Sequence, residues 1–164
     1  MNRLFTRSLS ITLALFAALA ASAQRIEAKA AKPDTDAEFR ALIERYYAAW
    51  NTLDLENPAV YYARDANLVF YDIKPLKYNG WSEYKEGVKK NFFDVISSGK
   101  LTPNNDLKVT RRGNIAWTTL TFHFSATLKA GGGIELEARH TAIWEKRRSK
   151  WLIVHEHVSA PLPD

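Results

Sequence analysis

The sequence contains no cysteine. Thiol catalysis and thiolate metal sites are therefore excluded, and an exported form of the chain has to hold its fold by packing alone. A large charge of one sign is also missing. The formal net charge is +5, with 18 acidic residues mixed among 23 basic ones, too small a surplus for a dedicated nucleic-acid binder. There is no glycine-rich phosphate loop, because Gly131-Gly132-Gly133 joins two predicted strands and does not open a helix. A nucleophile elbow and internal repeats are absent as well. The N-terminal apolar run, Ser10 to Ala20, is too short to span a membrane as a mature helix.

That run is read together with its flanks. Arg3 and Arg7 precede it and Ala21-Ser22-Ala23 follows, the pattern of a secretory signal peptide over residues 1–23, cut before Gln24. An uncleaved anchor is the alternative. Cleavage removes two arginines and lowers the net charge to +3, leaving a periplasmic or secreted chain with no stable membrane anchor. Residues 24–33 carry no apolar stripe and end in Pro33, which marks a flexible leader. One domain over residues 34–164 follows.

Aromatic residues are abundant: five Trp, seven Tyr and eight Phe. They can fill a core, line a cavity or cover a dimer face. Thr35 and Glu38 predict a capping box, and Phe39, Leu42, Ile43, Tyr46 and Trp50 follow at helical spacing up to Asn51. Asn57-Pro58 predicts a second short helix from Pro58 to Ala63. A strand over Asn67–Ile73 is stopped by Pro75. Asn79-Gly80 then turns into a third helix through Trp81, Tyr84, Val88, Phe92, Val95 and Ile96, ended by Ser98-Gly99. From Asp106 onward the pattern is all strand: Asp106–Arg112, Ile115–Leu128, Ile134–Glu145 and Trp151–Ser159. Helices first and a meander of long strands after them is the α+β pattern, with helices covering one sheet face. Strands this long are expected to bulge and curve around a conical pocket.

The last strand alternates. Trp151, Ile153, His155, His157 and Ser159 share one face, and Leu152, Val154, Glu156 and Val158 the other. This spacing predicts that Glu156 points inward near His140, which shares its own face with Leu136, Ala138, Ala142 and Trp144. On that reading a Glu156→Leu change stabilises the domain by removing a buried charge. Ile143, Trp151 and Ile153 are expected on the opposite face, which then needs cover.

The run Trp144 to Pro161, W-x-x-R-x-x-K-W-L-x-V-H-x-H-x-S-x-P, resembles the association domain of calcium/calmodulin-dependent kinase II. Ile115-Ala116-Trp117 resembles its central strand, and Gly80-Trp81 opens the third helix as in SnoaL-like chains of the nuclear transport factor 2 superfamily. Residues 44–51, ERYYAAWN, with Asp54-Leu55, are similar to the opening of ketosteroid isomerase. The resemblance implies an α+β fold in which a cone-shaped, curved antiparallel sheet is covered by N-terminal helices, the cystatin-like arrangement. It also implies frequent homodimers through the outer sheet face. Its members include enzymes, ligand binders and assembly domains, so fold does not settle function. Departures are informative. Tyr46 falls where the isomerase has its oxyanion-hole tyrosine, but the general-base position is Phe70, with Asp72 two residues on. The arginines lining the kinase-domain cavity correspond to Thr119, Ala142 and Val158.

The pocket candidates are Tyr46, Trp50, Tyr71, Asp72, Trp81, Trp117, Thr119, His140 and Glu156. Asp72 either faces an apolar pocket with a raised pKa or sits at a strand end in water. A Glu156–His140 pair is either a ligand site or a structural buried pair. His155 and His157, two apart on one face, are assigned to the interface or the sheet; zinc would need a third ligand such as His123 or His140. No metal or cofactor is expected. Three functions remain open: an exported module binding a small apolar or amphipathic molecule, an isomerase- or hydrolase-type enzyme using acid–base residues, and an oligomerisation module.

Overall fold

A computed structural model describes residues 35–162. The expected signal peptide, residues 1–23, and the expected leader, residues 24–33, lie outside the described residues. Helix α1, Thr35–Trp50, begins the domain. It buries Phe39, Leu42, Ile43, Tyr46, Tyr47 and Trp50, whose three- and four-residue spacing puts them on one face. Helix α2 is a single turn, Glu56–Ala59, shorter and earlier than the Asn57-Pro58 signal predicts. Asp54 Oδ1 accepts the Glu56 N–H at 3.0 Å and so supplies the start. The chain then leaves the helix because its backbone pairs elsewhere: Ile153 N–H donates to Tyr61 O at 2.7 Å and Ala63 N–H to Ile153 O at 2.9 Å.

Strand β1, Val69–Tyr71, and strand β2, Tyr78–Asn79, are short. Helix α3, Gly80–Val88, starts at a residue only glycine can fill. Gly80 has φ +76°, and a Cβ there would stand 2.6 Å from Ala66 O. After Val88 the chain makes a π-helical turn, Lys89–Phe93, and the helix does not reach Ser98. Instead Ile96–Pro103 is strand β3. It pairs antiparallel with β5, Ile115–Leu128, from Ile96↔Leu128 to Pro103↔Phe122. Its Ser-, Gly- and Pro-containing sequence carries little strand propensity, so tertiary pairing overrides the local signal.

Strand β4, Lys108–Arg112, pairs with the first part of β5, and β3 pairs with the rest. Strands β6, Gly133–Arg147, and β7, Lys150–Ser159, complete a seven-stranded sheet in the order β2-β1-β7-β6-β5-β3, with β4 also on β5. The sheet is mixed, a correction to the antiparallel expectation: β1 runs parallel to β7, with Phe70 opposite Glu156.

A bulge in β7 corrects the facing of the final strand. Ile143 pairs with His155 while Trp144 pairs with Ile153, which leaves Val154 as the extra residue. Trp151 and Ile153 therefore point inward, 7% and 0% exposed. Beyond the bulge Glu156 is still inward, 2% exposed, and His157 faces out. The expected outer set thus loses Trp151 and Ile153 to the core. Trp151 Nε1–H donates to Glu38 Oε1 at 2.9 Å, and Arg111 bridges to Glu38 Oε2 at 3.1 Å, fixing α1 against this end of the sheet.

Candidate functional site

The concave side of the sheet, α1 and α3 enclose a cavity of about 280 Å³. Its wall is mostly apolar, with Val88, Phe92, Leu101, Phe122, Phe124, Leu136 and Val158 among the lining residues. Ile73 and Val95 also line it and are 49% and 40% exposed, which puts the mouth beside them.

Polar groups in the wall converge on one carboxylate. Glu156 Oε1 accepts from Tyr46 Oη at 2.5 Å and from His140 Nε2 at 2.9 Å, and Oε2 accepts from Tyr84 Oη at 2.6 Å. Tyr62 Oη reaches both carboxylate oxygens, at 3.1 and 3.0 Å. The tyrosines also touch one another, Tyr46–Tyr62 at 2.7 Å and Tyr62–Tyr84 at 3.1 Å. His140 Nδ1 lies 3.1 Å from Tyr47 Oη. Strands β6 and β7, with Ala142 opposite Glu156 and Val158 opposite His140, place the pair diagonally on one face.

Burial pushes the Tyr46, Tyr62 and Tyr84 hydroxyls well above the usual tyrosine range, and the Glu156 charge adds to it. Burial, the largest influence on Glu156, would raise its carboxyl. The His140 hydrogen bond and charge, with the Tyr46 and Tyr84 hydroxyls, outweigh burial and hold the carboxyl below the ordinary glutamate value. The protons therefore stay on the tyrosines and the charge on Glu156. Asp72, also in the wall, is pushed up to about 6 by burial, against the opposing Ile73 N–H.

Of the nine sequence candidates, Tyr46, Trp50, Asp72, His140 and Glu156 line the cavity. Four do not. Tyr71 alternates with the inward Phe70 and so faces out, 41% exposed. Trp117 and Thr119 alternate with the buried Ala116, Thr118 and Leu120 and are exposed on the outer face. Trp81 is buried against Tyr62, ring centroids 5.3 Å apart, and belongs to the core. His155 and His157 stand on the outer side, flanking the Tyr71 ring at 5.4 and 5.8 Å. His155 Nδ1 bonds Val69 O at 2.7 Å. His123 sits between Glu135 and Glu137. Among the described residues no group of three His, Cys, Asp or Glu side chains could hold a metal. Sequence reasoning missed Tyr62 and the role of Tyr84. A buried tyrosine hydroxyl requires a partner, and three of them near one inward glutamate was the available signal.

A curved sheet closed by helices over an apolar cavity defines the cone class of α+β domain. The sequence model of the SnoaL-like domain matches residues 39–163, and the chain belongs to that family. Among curated proteins nothing matches. Solved structures do. A nuclear transport factor 2-like superfamily protein from Salmonella enterica has TM-score 0.67 and 22% identity, covering 78% of this chain and 92% of its own. A candidate calcium/calmodulin-dependent protein kinase II association domain from Xanthomonas campestris has TM-score 0.64 and 26% identity, with 77% and 87% covered. A candidate dehydratase of the nuclear transport factor 2-like family from Streptomyces avermitilis has TM-score 0.67 and 17% identity, with 80% and 100% covered. Identities this low carry the fold and no activity.

Proposed function

We propose that the domain binds a small, largely apolar molecule with one polar end, held in the cone. The observation that carries this is the 280 Å³ cavity itself, apolar along most of its wall and polar at Glu156 and its partners. That combination, apolar lining with a few convergent polar groups, is what small-molecule sites have in common. A filled cone would have favoured a pure assembly role. Calorimetric titration with the bicyclic probes tetralin and 2-tetralol tests the reading. Saturable binding that is lost when Val158→Phe fills the cavity supports it; equal binding by that variant, or none by the parent, refutes it.

One observation favours a second reading, acid–base catalysis on the bound molecule. Asp72 stands in the same wall with its carboxyl pushed up to about 6, poised to take or give a proton near neutrality. Turnover that vanishes in Asp72→Asn while probe binding persists would establish it.

The setting is an exported homodimer. The N-terminal signal pattern supports export. The outer sheet face supports dimerisation: it carries Tyr71, Trp117 and Ile115 at 41%, 36% and 40% exposure, and such an apolar face is suited to a self-complementary contact.

A further inference from the structure

The hydrogen-bond count at Glu156 fixes which kind of polar group the cavity can accept. Tyr46, Tyr62 and Tyr84 each have one hydroxyl hydrogen. Tyr46 and Tyr84 spend theirs on the carboxylate at 2.5 and 2.6 Å. Tyr62 has the carboxylate and both neighbouring hydroxyls within 3.1 Å, so its single hydrogen is spent whichever way it turns. His140 Nε2–H goes to the same carboxylate, and its Nδ1 lies 3.1 Å from the Tyr47 hydroxyl. The hydroxyl hydrogens of Tyr46, Tyr62 and Tyr84 are thus all committed within this cluster. What Tyr46 and Tyr84 have left to offer, as residues of the cavity wall, is oxygen lone pairs. Asp72 adds a carboxylate to the same wall.

We infer that the polar end of the ligand is a hydrogen-bond donor, a hydroxyl on an apolar skeleton, and that the tyrosine cluster is closed to a carbonyl or an enolate. This rests on the binding reading above and narrows it. Tyr46 is consequently no oxyanion donor, since stabilising an oxyanion requires a hydroxyl hydrogen aimed at the ligand and not at a neighbouring carboxylate. A second observation concerns Trp50. It lines the cavity, and its indole N–H is the one buried side-chain donor among the described residues that has no acceptor. An acceptor elsewhere on the ligand would have this one group to meet.

Three probes of nearly equal shape separate the alternatives: tetralin, with no polar group; 2-tetralol, which donates; and 2-tetralone, which only accepts. Calorimetric dissociation constants on the parent protein are expected to show 2-tetralol at least about tenfold tighter than 2-tetralone, the scale of one unmatched buried polar group. The ratio should persist in Trp50→Phe, where the unpaired donor is gone. Tetralin reports the cavity alone. If tetralin and 2-tetralol bind equally, or 2-tetralone binds as tightly as 2-tetralol, the donor inference is overturned while the cavity reading stands. If none of the three binds, both fall.

Discussion

Replacing Glu156 with leucine removes the acceptor on which Tyr46, Tyr62, Tyr84 and His140 converge. Each buried donor left without a partner costs roughly 1–3 kcal/mol. The tyrosines can recover part of this through their own contacts, Tyr46–Tyr62 at 2.7 Å and Tyr62–Tyr84 at 3.1 Å, which leaves about two donors orphaned. Relief from desolvating the charge offsets a further part. Two orphaned donors cost about 2–6 kcal/mol together, and with that offset the net loss is about 1–4 kcal/mol, a fall in Tm of roughly 3–15 °C for a domain of this size. This reverses the gain expected from sequence, because alternation reveals that a charge is buried but not that four donors depend on it. Thermal and urea unfolding followed by circular dichroism measure the change. Glu156→Gln keeps one acceptor oxygen and should lose about half as much. A leucine variant within about 0.5 kcal/mol of the parent would refute the reasoning.

Asp72→Asn should alter the pH profile of stability. The carboxyl goes from an unfolded value of 3.8 to about 6 on folding, so the folded state holds the proton more tightly. Its contribution is full below about pH 4 and is lost as pH rises through about 6. The asparagine variant should be the more stable at neutral pH and flatter across that window; denaturant midpoints that track the parent at every pH would contradict this. Light scattering at high micromolar concentration should give a dimer that Ile143→Lys converts to monomer, and His155→Ala with His157→Ala should weaken assembly before probe affinity. A monomeric parent sinks the dimer. Mass spectrometry of chain exported from a secreting host should find Gln24 first, and retention of residues 1–23 would count against cleavage.

The long strands were legible in sequence because their alternation is unbroken. Ile115–Leu128 coincides with β5, and Ile134–Glu145 falls within β6. The facing of Glu156 and His140 followed from the same alternation. What was hidden depends on partners. Strand β3 owes its form to β5, and its ISSGKLTP sequence reads as a helix end followed by loop. The Val154 bulge has no local marker, and it moved Trp151 and Ile153 inward. Tyr62 lies after a one-turn helix in a segment with no periodicity, held by backbone bonds to Ile153, so nothing nearby pointed it at Glu156. Trp117, Thr119 and Tyr71 face out because strand alternation, and not aromatic character or a family-matched position, decides their side of the sheet. Phe70 and Ala116 as inward neighbours exclude them from the cavity.

The central claim is that the cone is a binding site, and isotope-edited nuclear Overhauser spectroscopy with 2-tetralol tests it most directly. The claim predicts contacts from the bound probe to the methyl groups of Leu101, Leu136 and Val158, which line the cavity. Contacts confined to Ile115 and Ile143 on the outer face, or no contacts at saturating probe, would contradict it.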